Sequence, residues 1–162
     1  MGSDDHIGRA LPSGSERRSG TRLLVLSAIT VLAATPIATW WIVGDLSESN
    51  GSDYTWRAPD VPSVAVTVGG LLAIAALGTC AFALWSARRD HRLPSTWRLA
   101  LFPLAALGAF VGWGGRVFSA AVDGANIGAG FVLLAAPIVV VTALPASAVG
   151  LFGAMRSGRR RS

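Results

Sequence analysis

Apolar positions in this chain come in four long blocks, without the three- and four-residue spacing of a helix that keeps one face in water. Residues 23–43 carry no charge at all, and comparable blocks cover about 61–86, 99–122 and 127–154. A soluble amphipathic helix would place polar residues on its outer face every turn. Here they are missing for twenty or so residues at a time. At about 1.5 Å of rise per residue, each block can cross a hydrocarbon layer of about 30 Å. The pattern predicts an all-α fold, an integral membrane bundle of four transmembrane helices. A loop over 44–60 joins the first two, and a shorter one over 87–98, with Pro94 suited to a turn, joins the next two. The first 22 residues, rich in glycine, serine and charge, read as a disordered cytoplasmic tail, and 155–162 as a basic one.

Charge gives the helices a direction. Arg9, Arg17, Arg18 and Arg22 precede the first block; Arg88, Arg89, Arg92 and Arg98 lie between the second and third; Arg156, Arg159, Arg160 and Arg161 follow the fourth. Only Arg57 and Arg116 fall on the other side. Under the positive-inside rule both termini are expected in the cytoplasm (N-in, C-in), with 44–60 outside. Trp40 and Trp41 at one end, and Trp85 and Trp97 at the other, sit where interfacial aromatic belts form. The acids Asp45, Glu48, Asp53 and Asp60 of the outer loop lack the spacing of a calcium loop.

Composition narrows the chemistry. All fourteen basic residues are arginine, which suits the codon usage of a GC-rich genome, and their clustering beside apolar blocks points to membrane topology and away from nucleic acid. The expected location is a bacterial plasma membrane. The single cysteine, Cys80, excludes an intramolecular disulfide or a CxxC redox pair. The twin arginine at 17–18 precedes an apolar run that is long for a cleaved signal and is followed by three more, so it reads as flanking charge. Met-Gly at the start lacks the serine or threonine of a myristoylation signal. The block cores contain no Asp, Glu or His. That leaves no intramembrane carboxylate for proton coupling, no haem ligand and no Ser–His pair, so no enzyme and no cofactor is expected.

Helices in lipid associate through close backbone approach, which needs small residues along one side. The second block supplies Ala65, Gly69, Ala73, Ala76, Cys80, Ala83 and Ala87. The third supplies Ala105, Gly108, Gly112, Gly115 and Ser119, and the fourth Ala143, Ala146, Gly150 and Gly153; Gly124 and Gly128 form a further GxxxG pair. Such faces fit either a compact bundle or an interface with a membrane partner or a second copy. Pro36, Pro137 and Pro145 each remove a backbone donor inside a block.

Between the third and fourth blocks, GWGGRVFSAAVDGANIGAG holds the charge closest to the membrane interior. Arg116 lies roughly 25 Å along a helix that starts at Leu99. It is an interfacial arginine if that helix ends nearby, and an intramembrane one if the helix runs to Val122. Asp123 and Asn126 are its candidate partners. Asp123 is about 10 Å farther along the axis, so only a reversal at Gly124 would bring it back over Arg116. Three readings stay open: interfacial charge, a polar cluster of Arg116, Asp123 and Asn126 tying two helices together, or a site for a substrate or ion. The function expected is that of a non-catalytic scaffold or regulatory membrane protein; the alternative is an oligomeric channel or transporter, for an anion, using the Arg116 region.

Overall fold

The structure, a computed structural model, describes residues 14–47, 61–90, 93, 96–120 and 125–159, the side chains of 14–19, 125–126 and 157–159 excepted. Four helices account for nearly all of it: α1 (Gly14–Val43), α2 (Ser63–Arg89), α3 (Trp97–Ser119) and α4 (Ala125–Arg159). Each contains a stretch long and apolar enough to cross a membrane, namely Gly20–Val43, Ser63–Arg89, Trp97–Ser119 and Ile127–Arg156.

The helix ends have local causes. Gly44 adopts φ +72°, the left-handed conformation that glycine tolerates best, and α1 stops there. Pro62 cannot donate a backbone hydrogen bond, but its carbonyl accepts from the N–H groups of Ala65 and Val66 and starts α2. The Asp90 N–H donates to the Ser86 carbonyl at 3.1 Å and closes the same helix. α3 stops at Ser119, because Ala120 turns extended at φ −72°, ψ 136°. The third helix therefore ends short of Val122, and Arg116 lies in its last turn. At the other extreme, α1 begins at Gly14, inside the segment expected to be a disordered tail. Once the apolar span is helical, adding turns needs no new nucleus, and arginine is a good helix former.

α1 is the central element. It packs along α2 and α3 and, over a smaller area, α4; α3 and α4 pack together, while among the described residues α2 lies along α1 alone. At the arginine-rich end Leu24, Leu84, Leu101 and Leu104 close a cluster with Ala28, Ala100 and Ala154. Arginines there lie over tryptophans: the Arg89 guanidinium carbon is 3.6 Å from the Trp85 ring centroid, and that of Arg98 is 5.6 Å from Trp97.

Side-chain size is distributed as lipid would have it. Many buried positions are small, among them Ala34, Ala38, Ala73, Ala87 and Ala143, while Leu26, Val64, Leu72, Phe82 and Leu134 face outward at 63–75% exposure. In water this would leave large apolar surface wet; in hydrocarbon it brings backbones close and gives bulky residues to the lipid. The outward hydroxyls agree. Thr67, Thr79 and Thr142 donate to the carbonyls four residues back, of Ser63, Ala75 and Ile138, at 2.7–2.9 Å, so none presents an unpaired donor to hydrocarbon. The alanines and Cys80 of the α2 stripe lie on its buried or half-buried side, except Ala65, which is exposed.

Glycines mark the closest approaches. A Cβ at Gly150 would run into the Ala100 backbone nitrogen and, at 2.7 Å, its Cα. That contact fixes α4 on the first turns of α3, a helix that also carries Pro103, an in-helix proline additional to the three expected. Gly150→Ala should destabilise the protein by about 1–3 kcal/mol, since the obstructing atoms are backbone and cannot swing aside. Gly78 has nothing within 4 Å of such a Cβ, so Gly78→Ala should be neutral or stabilising by up to about 1 kcal/mol through helix propensity. Unfolding in detergent followed by circular dichroism separates the two, and equal responses would refute the packing assigned to Gly150.

Candidate functional site

The site is built where the last turn of α3 meets the last turn of α1. Along α3, Gly108, Gly112 and Gly115 present a bare backbone to α1. Added Cβ atoms would meet Thr35 Cβ at 2.8 Å from Gly108, the Pro36 carbonyl and Thr39 from Gly112, and the Trp40 ring at 2.6 Å from Gly115. Trp40 thus fills a notch that only glycine leaves open. Its neighbour Trp41 does the same on the other side of α1, where a Cβ on Gly70 of α2 would overlap its ring. The tandem tryptophans therefore seat α1 against two helices at once.

Arg116 follows Gly115 and reaches back over the same tryptophan. Its Nε donates to the Trp40 carbonyl at 2.7 Å, and its guanidinium carbon stands 4.4 Å from the Trp40 ring centroid. Magnitudes rank its contacts. A hydrogen bond from a charged donor contributes about 1.5–3 kcal/mol and a cation–π contact about 0.5–2 kcal/mol. A cation at the last turn of α1 also meets the negative end of the helix dipole. The Ser119 hydroxyl donates to the Arg116 carbonyl at 3.3 Å, closing the last turn of α3 beneath it.

Asp45, just past Gly44, also acts on Arg116 electrostatically. It is exposed, and an exposed ion pair contributes at most about 1 kcal/mol, so Trp40 dominates. The Asp45 carboxyl is held below its ordinary value of 3.8 chiefly by the Ser47 backbone N–H, which donates to it at 3.0 Å, then by the Ser47 side chain; partial burial opposes this, and Arg116 adds a smaller push downward.

Of the residues expected to cluster here, Asp123 and Gly124 lie outside the described residues, as does the side chain of Asn126. The structure gives Arg116 the partners Trp40 and Asp45. Trp40 had the sequence signature of a belt residue, and Asp45 that of one acid among four in a loop. Gly128 faces Val117 of α3, whose Cγ1 would lie 3.0 Å from an added Cβ, and Gly114, not singled out in the sequence, faces Val132 of α4 at 2.9 Å. Among the described residues no three His, Cys, Asp or Glu side chains converge as a metal site would need. No protein-family model, curated protein or solved structure matches the chain.

Two outcomes test this geometry. Arg116→Ala should lower unfolding stability by about 2 kcal/mol, the loss of a charged hydrogen bond, while Arg57→Ala should stay within about 0.5 kcal/mol. Equal behaviour of the pair would remove the structural role from Arg116. For Asp45, a carboxyl depressed in the folded state adds stability above pH 3.8 that is lost as pH falls through the folded value. A carbon-13 titration should place its midpoint below 3.8, and Ser47→Pro, which deletes the donating N–H, should raise it. An unmoved midpoint in Ser47→Pro would show that the bond does not form.

Proposed function

We propose that this protein is a non-catalytic scaffold or regulatory protein of a bacterial plasma membrane, with both termini in the cytoplasm. The carrying observation is the unequal use of its helices. Among the described residues α2 lies along α1 alone, and its other sides present Val64, Leu71, Leu72 and Phe82 outward. A helix held by one neighbour leaves most of its circumference for lateral association, which in lipid is driven by packing and not by hiding apolar surface from water. The span cores contribute no acid or histidine for catalysis, and the arginines at one end favour an anionic leaflet.

The alternative, an oligomeric anion pathway, draws support from Arg116 alone. Against it stands the engagement of that guanidinium by the Trp40 carbonyl and ring at the end of the bundle.

One pair of measurements decides. Photo-crosslinkers placed at Leu72 and Phe82 in native membranes should capture a reproducible protein partner, and liposomes of the purified protein should pass no anion. Anion flux that disappears in Arg116→Ala would reject the scaffold reading. A crosslinker that captures only lipid at both positions, with no flux, would reject lateral association through α2.

A further inference from the structure

At the arginine-poor end the tandem tryptophans leave a groove between α2 and α3, floored by α1. Open on one face, it has a volume of about 420 Å³, within the range of about 300–1,000 Å³ for small-molecule sites. Its walls include Ile37, Trp41, Val66, Gly69, Val111 and Gly112, all apolar, and also Trp40, on whose carbonyl and ring Arg116 lies. We infer that this groove is a phospholipid site, holding one acyl chain between α2 and α3 with the lipid phosphate on the Arg116 guanidinium.

Size selects the occupant. A transmembrane helix is at least about 10 Å across, so 420 Å³ would accommodate only about one turn of it. An acyl chain is far slimmer and can enter sideways from the bilayer through the open face of the groove.

Charge and depth select the head. Arg116 stands three residues from the end of a 23-residue span, so about 5 Å of helix separates it from that end, within the reach of a long arginine side chain to lipid phosphates. Its Nε is committed to Trp40, and the structure gives its terminal nitrogens no hydrogen bond to a described residue. A guanidinium presents five N–H donors in a fork that matches phosphate oxygens. Asp45 is the described acid that acts on Arg116, and it is exposed and bonded to the Ser47 N–H, which weakens its hold. The inference rests on the membrane placement of the helices and is independent of the scaffold role.

Gly69 offers a clean test, because it lines the groove and a Cβ there meets nothing within 4 Å. Gly69→Leu should fill the groove without disturbing helix contacts. Gly78→Leu, equally unobstructed but outside the groove lining, is the control. Full-length protein is reconstituted into vesicles of phosphatidylethanolamine and phosphatidylglycerol, extracted in mild detergent and weighed by native mass spectrometry. Wild type and Gly78→Leu should each retain one phospholipid. Gly69→Leu and Arg116→Gln should retain it at least about tenfold less, a tenfold change being the equivalent of about 1.4 kcal/mol in affinity. Unfolding curves establish that each variant is folded, and if Arg116→Gln is not, Gly69→Leu still decides. Retention in Gly69→Leu equal to wild type overturns the inference. So does a second protein chain, in place of lipid, that Gly69→Leu releases, which would assign the groove to a docked helix.

Discussion

The close approach of α3 to α1 is the contact on which the remaining architecture depends. Lipid provides no solvent-driven reason for apolar helices to touch, so the attraction must come from packed backbone and side-chain atoms. Gly108, Gly112 and Gly115 make that approach by removing every Cβ along the line where α3 meets Thr35, Pro36, Thr39 and Trp40. α4 then rests on α3 through Gly150, and α2 is held on the free side of α1 with Trp41 seated over Gly70. Loss of the α1–α3 seam would separate α2 from the α3–α4 pair except where α4 touches α1.

Arg116 is best understood as part of that seam. A guanidinium at the bilayer centre is disfavoured by about 2.5–3.5 kcal/mol, but this one lies in the last turn of its helix, where the penalty has largely fallen away. What remains is offset by the Trp40 carbonyl and ring. The same tryptophan fills the Gly115 notch, so one residue satisfies the charge and completes the packing. A residue that looks like a pore charge in the sequence thus fastens two helix ends.

Most of the helical frame is legible in the sequence because membrane spans are set by one variable, uninterrupted apolar length. The packing faces are partly legible, since small residues at three- and four-residue spacing define a stripe. Which neighbour a stripe meets is not, because that depends on three-dimensional order: Gly115 meets α1, while Gly114, adjacent in the chain, meets α4. The Arg116 contacts escaped for a related reason. Trp40 is 76 residues away, and a tryptophan at a span end has an ordinary explanation in the membrane interface. The end of α3 was ambiguous because VFSAAV carries neither charge nor glycine to stop a helix, and the turn to extended backbone comes at an alanine. The helical start at Gly14 was hidden by composition, since a polar, charged segment continuing a span looks the same as a disordered tail.

The two ends of the bundle are held by different contacts. At the arginine-rich end, leucines from α1, α2 and α3 join one apolar cluster, with Arg–Trp pairs displayed at the periphery. At the other end α1 carries two tryptophans, and each is received by a glycine on a different helix. Among the described residues α2 and α3 do not pack on each other, and at this end a groove lies between them above α1. One end of the bundle is therefore held by a leucine and alanine cluster, and the other by tryptophans seated on glycines with the groove beside them.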